Sequence, residues 1–243
     1  MKYWAHSDPL GLSSEAPGNR WQPLKVHLRN VSELAESLAR EAAPDRPALH
    51  QMASVAGLLH DYGKYTECFQ TMIRNGRGRC PHSIFGAIAA RQFGLKSGET
   101  VREWAMPVVR AIAAHHGGLS DDGSIESETR PNSRAAPTKA LRDKAKQIWP
   151  VAKLDQPAIV RACIAPPPPA TQCHQDLLTR MLLSCLVDAD RLDTAGRAEE
   201  KSPLLRAEER LKQLLLHLDG LHAQAVAGGG NSNVLAVREQ VQE

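Results

Sequence analysis

At 243 residues and 42% apolar content the chain can bury one large core, or one domain plus a tail. Its net charge of +3 neither demands nor excludes a nucleic-acid partner. No apolar run is long enough to span a bilayer, and Met1–His6 lacks the apolar centre of a signal peptide. Five Cys without a C-x-x-C pair fit a reducing, cytoplasmic setting rather than a disulfide scaffold or a zinc knuckle.

The stretch to about Pro23 is rich in Gly, Pro and Ser and reads as an irregular arm. From Leu24 to Ala43, apolar residues at Val26, Val31, Leu34, Leu38 and Ala42 recur at helical spacing, with His27 on the first turn. Pro44 to Pro47 breaks this helix. Ala48 to Leu59 forms a second, which Gly63 follows, and Tyr65 to Ile73 a short third. A fourth runs from Ser83 to Phe93, with His82 just before it. Val101 to His116 is a fifth, stopped by Gly117-Gly118, which leaves His115 and His116 at a helix end.

Ser120 to Pro137 reads as a mobile polar loop and Thr138 to Trp149 as a charged helix. Pro166 to Pro169 cannot be helical. A long helix spans Asp176 to about Thr194, and Pro203 to Leu221 is amphipathic. Gly228 to Asn233 is a flexible linker. With no alternating apolar pattern of useful length, the fold class is all-α. Phe69 and Trp104 are expected in the core.

Chemistry concentrates at His60-Asp61, with His27, His82, His115-His116 and Asp188-Ala189-Asp190 on either side. Imidazole suits transition metals and a carboxylate can bridge two of them. Phosphodiester hydrolysis gains from two metals about 3.5–4 Å apart, which acidify a water and clamp phosphate oxygens. Asp190 falls one turn after Leu186 on the apolar face. It is favoured over the alternative, Asp188, and Asp193 is expected at the surface or as a cap. Lys64, four residues after His60, would either hold a phosphate oxygen or leaving group or be a solvated lysine after a glycine. Arg74, Arg77 and Arg79 are either a solvated basic loop or a rim that contacts phosphate.

The order His27, His60-Asp61, His82, His115-His116, Asp190 on a helical pattern resembles the HD superfamily of metal-dependent phosphohydrolases. Several flanking features resemble, more narrowly, the HD nuclease domain of the CRISPR-associated type I nuclease-helicase. These are Ala5-His6-Ser7, Trp21, Leu24, Tyr62-Gly63-Lys64, Phe69-Gln70, Gly86, Gly117-Gly118 and Asp188 to Thr194. The resemblance implies a helical bundle with the metal site in a central cleft. His27, His60, Asp61 and Asp190 would hold one divalent ion. Asp61 would bridge to a second, held by His82, His115 and His116. Both ions would be Fe, Mn, Co or Ni.

The resemblance further implies cleavage of single-stranded DNA in CRISPR interference, endonucleolytic and also exonucleolytic. The implied partners are a helicase domain in cis or trans and the surveillance complex. Residues 1–225 would form the nuclease domain and 226–243 a linker and stub leading toward a helicase, which suggests a fragment. Two rival readings stand beside this one. The first is an HD phosphohydrolase acting on nucleotides or small phosphate esters, and the second an inactive module that docks on the surveillance complex.

Overall fold

Most of the second helix is apolar and buried, its second half almost throughout, which places it at the centre of the molecule. In the computed structural model, which describes residues 2–96, 99–119, 124–129, 136–161, 172–196 and 216, that is its place. The helices are α1 (Leu24–Ala42), α2 (Pro47–Leu59), α3 (Glu67–Asn75), α4 (Ser83–Lys96), α5 (Glu99–Ala114), α6 (Ser124–Glu128), α7 (Ala136–Asp155) and α8 (Gln172–Thr194). Two 3-10 turns, Tyr62–Tyr65 and Pro157–Arg161, join them. Helix α2 packs against α1, α4, α5 and α8, while α4 packs on α5, and α8 on α1 and α5. The fold is an all-α bundle. All of these elements belong to one unit, Met1–Glu200.

Each outer helix turns one apolar stripe inward. On α1 it is Leu24, Leu28, Val31, Ala35 and Leu38, and on α8 it is Leu182, Leu186 and Ala189. Truncating a fully buried leucine such as Leu59 to alanine would cost about 2–5 kcal/mol. With so few aromatic residues, small side chains bring the helices close. A Cβ on Gly86 of α4 would overlap the Leu59 carbonyl at the end of α2. One on Gly63 would overlap the backbone of His82.

Four features differ from the sequence reading. The N-terminal arm is irregular over residues 7–21, but its two ends are strands. Trp4–His6 (β1) pairs antiparallel with Gln22–Pro23 (β2), and Trp4 and Ala5 are buried. The Gln70 amide holds this pair down, accepting from Trp4 N at 3.1 Å and donating to the carbonyls of Trp4 at 2.9 Å and Lys64 at 2.8 Å. Strands of three and two residues are too short to show a period.

Second, α6 forms inside the expected loop. Third, α7 begins before Thr138 and continues through Pro150 to Asp155. Fourth, Cys68 and Cys80 form a disulfide, with Cα atoms 6.2 Å apart, where unpaired thiols were expected. Thr66 caps α3 by accepting from Phe69 N, and Gly76 ends it at φ 65°; Gly78 at φ 104° then returns the chain to Cys80. The expected helix at Pro203–Leu221, the prolines 166–169, the linker, the 226–243 stub and the Trp104 side chain lie outside the described residues. Among the described residues no helix is long and apolar enough to cross a membrane.

Candidate metal centre

Six segments converge at one end of α2. His27 is on the first turn of α1, His60 caps the C-terminus of α2, and Asp61 opens the 3-10 turn. His82 precedes α4, and His115 and His116 follow α5 in a turn closed by Gly117 N and Gly118 N on the Ala114 carbonyl. Asp190 comes from α8. His27 and His60 are fully buried, Asp61 is 1% exposed, and the side chains of His82 and Asp190 are 18% exposed.

The two oxygens of Asp61 face two different groups. Oδ2 lies 3.1 Å from His27 Nε2 and 3.3 Å from His60 Nε2. Asp190 Oδ1 completes this group, at 3.4 Å from His27 Nε2 and 3.7 Å from His60 Nε2. Asp61 Oδ1 faces His82 Nε2 at 3.4 Å and His115 Nε2 at 3.8 Å, and His82 Nε2 is 2.8 Å from His116 Nε2. In each group of four, one ligand atom per residue lies within 4.8 Å of all the others.

The far nitrogens explain why a cation belongs there. His60 Nδ1 donates to the Gly57 carbonyl at 2.8 Å, His115 Nδ1 to Ile112 at 2.6 Å and His82 Nδ1 to Cys80 at 3.2 Å. His27 Nδ1 donates to Asp193 Oδ2 at 2.6 Å. Oxygen acceptors on Nδ1 leave Nε2 of each neutral ring as a bare lone pair. Lone pairs of His27 and His60 then face each other at 3.2 Å beside two carboxylates, which only a proton or a metal ion between them makes favourable. Asp61 Oδ1 and His115 Nε2 are buried without a hydrogen-bond partner, as open ligand positions would be. The residues fit a metal, and the nitrogen and oxygen donors, without thiolate, suit a borderline transition metal.

The charges agree with this reading. Burial alone would lower the pKa of His60, but the Asp61 and Asp190 carboxylates raise it to about 10, so the site favours a positive charge in this gap. Burial would push the Asp61 carboxyl up. Lys64 and His60 overcome it and hold Asp61 well below the usual carboxylate range. Burial, with His115 and His82 adding to it, lowers His116 to about 4.

Lys64 sits on the Asp61 carboxylate, with Nζ 2.6 Å from Asp61 Oδ2 and 3.2 Å from the Ala5 carbonyl, and is 5% exposed. Its position is that of a counter-charge to Asp61. Asp188 is exposed on the other side of α8. Arg77 and Arg79 are exposed on the loop before His82, whereas Arg74 bonds the carbonyls of Gln70 and Lys2. Phe69 is buried with its ring 5.2 Å from that of His82.

Asp193 is not a surface residue. It is 4% exposed and accepts from His27, from Gln22 Nε2 at 2.6 Å and from Asn30 Nδ2 at 2.8 Å. The signal was its spacing, one turn beyond Ala189 and two beyond Leu186. His6 is also a neighbour of the site. Its ring lies edge-on to His27 at 4.8 Å and its Nε2 is 3.3 Å from Thr194 Oγ1. Burial, then Lys64 and His27, lower it to about 3.

Over residues 4–222 the sequence matches the family described as Cas3, HD domain. The chain belongs to that family. It is thereby a member of a CRISPR-associated HD phosphohydrolase and nuclease family, and its two His/Asp clusters are where a member would bind divalent metal. No curated protein matches it.

Proposed function

We propose that the chain is a metal-dependent nuclease that hydrolyses phosphodiester bonds of single-stranded DNA in CRISPR interference. The observation that carries this reading is the division of Asp61, whose two oxygens serve two separate nitrogen clusters. His27, His60, Asp61 and Asp190 would hold one ion, and Asp61, His82, His115 and His116 the other. When bound, two such ions acidify a water and neutralise phosphate charge. The protein's own part is to fix the ligands. Lys64 holds Asp61 ionised, and the buried faces of His27 and His60 keep bulk water from one side. His116, which is exposed, and the partly open His82 and Asp190 mark the side from which a phosphate can enter.

Arg77 and Arg79 stand on the loop that leads into His82, where an unpaired strand can meet them, and a flexible strand bends into a cleft that a duplex cannot. Residues 1–225 act as the nuclease domain and 226–243 as a connector toward a helicase partner, in cis or in trans. Fe, Mn, Co and Ni all suit the donor set. The test is elemental analysis of anaerobically purified protein, paired with cleavage of closed circular single-stranded DNA in each metal. Two ions per chain and linearised circles are expected. Hydrolysis of mononucleotides with intact circles would replace the reading by a small-ester phosphohydrolase, and metal-free, inert protein by a docking module.

A further inference from the structure

The histidines of this centre solve one problem in two ways. A neutral imidazole that offers Nε2 to a cation must place its Nδ1–H on an acceptor. At the C-terminal end of a helix such acceptors are at hand, because the last carbonyls have no intrahelical partner. His60 and His115, at the ends of α2 and α5, use the carbonyl three residues back, those of Gly57 and Ile112. His82 uses the loop carbonyl of Cys80. His27 lies on the first turn of α1, where the free backbone groups are N–H donors. No local carbonyl can take its Nδ1–H, and the acceptor has to come from another part of the chain.

We propose that Asp193 is the positioning residue for His27: its carboxylate fixes the Nδ1–H tautomer, and so aims Nε2 at the site shared with His60, Asp61 and Asp190. The inference rests on the metal-centre reading above. Asp193 itself is not a ligand. Oδ2 receives His27 Nδ1–H at 2.6 Å and Gln22 Nε2 at 2.6 Å, and Oδ1 receives Asn30 Nδ2 at 2.8 Å. Both oxygens are thereby engaged on the side of the ring away from Nε2. Gln22 is on β2 and Asn30 is one turn beyond His27 on α1, so the carboxylate is held from two elements. The strand β2 thereby gains a purpose in the site although it supplies no ligand. A carboxylate acceptor also makes His27 a better donor to a cation than a backbone carbonyl would.

The test compares wild type with Asp193→Asn and Asp193→Ala, each in a His116→Ala background that isolates the site of His27. Two quantities are read: Mn²⁺ affinity by calorimetry, and the His27 tautomer in metal-free protein by long-range ¹⁵N–¹H correlation. The asparagine variant keeps the shape but turns an amide NH₂ toward one of the donors that the carboxylate received. We expect Mn²⁺ affinity to fall about 10- to 100-fold in both variants. The His27 signal should change from a single Nδ1–H species to a mixture of tautomers, with helical content and melting midpoint close to those of the background in Asp193→Asn. Unchanged affinity with His27 still wholly Nδ1–H would overturn the proposal. So would an affinity loss that tracks the melting midpoint while the tautomer stays fixed, since Asp193 would then act on packing alone. If the background protein takes up no Mn²⁺, the metal-centre reading fails, and the tautomer still decides whether Asp193 orients His27.

Discussion

Replacing Asp61 by alanine tests the electrostatics of the centre before any metal is added. A cluster of acids would gain stability on losing one member. The structure gives the opposite sign, because Asp61 is 1% exposed and is held by two cations, the Lys64 ammonium with Nζ 2.6 Å from Oδ2 and the protonated His60. In Asp61→Ala the Lys64 ammonium, 5% exposed, keeps the Ala5 carbonyl at 3.2 Å and the Phe69 ring at 5.3 Å but no counter-charge in contact. Removing one partner of a buried pair costs about 3–5 kcal/mol, because the other charge stays buried and uncompensated. At ~2–4 °C per kcal/mol for a domain of this size, the melting midpoint of chelator-treated protein should drop by roughly 6–20 °C. The double variant Asp61→Ala/Lys64→Met removes the stranded charge as well and should recover most of the loss. Circular dichroism melts of the wild type, both single variants and the double variant close the cycle. A midpoint for Asp61→Ala close to that of the wild type, or a double variant no more stable than Asp61→Ala, would refute the reasoning.

Four further outcomes are expected. Asp190→Ala should lose at least about 100-fold in metal-dependent cleavage while Asp188→Ala stays near wild type, because only Asp190 faces His27 and His60; the reverse order, at equal folding, would name the wrong carboxylate. In metal-free protein the His60 pKa is raised from 6.5 to about 10, so its contribution to stability is complete below pH 6.5 and is lost as pH rises toward 10; urea titrations across that range should show the decline, and His60→Gln should flatten it. Replacing Arg77 and Arg79 by Gln should lower the log–log salt slope of single-strand binding by about 1.4, from ~0.7 per phosphate contact, and an unchanged slope would return them to solvent. Gly86→Ala should destabilise the fold and weaken metal uptake together, since its Cβ would overlap the Leu59 carbonyl next to His60; unchanged uptake would count against that placement.

The helical bundle was legible because burial leaves a period in the sequence. Apolar positions on α1 and α8 repeat every three or four residues, and α2 ends in the unbroken apolar run Val55 to Leu59. The ligand-bearing turns were legible because His60-Asp61 and His115-His116 end apolar runs. What stayed hidden depends on contacts distant in sequence. The β1–β2 pair is held by Gln70, 66 residues from Trp4. The Cys68–Cys80 pairing follows from how Gly76 and Gly78 return the chain, which Cys spacing alone does not announce. Asp193 shares the buried face of Leu186 and Ala189, yet a charged residue near a helix end reads as a cap until His27 is known to approach it.

The distribution of the centre along the chain also sets an order in time. His27 and its acceptor Asp193 are separated by 166 residues. At a synthesis rate of about 5–20 residues per second, the α8 carboxylates leave the ribosome roughly 10–30 s after His27. During that interval the nascent chain carries His27, His60 and Asp61 without Asp190 to close their group or Asp193 to orient the first ring. With the ligands assigned as proposed, full affinity for an ion beside His27 would arise only once α8 has docked on α1, which would make metal loading a late event and a report that the bundle has closed.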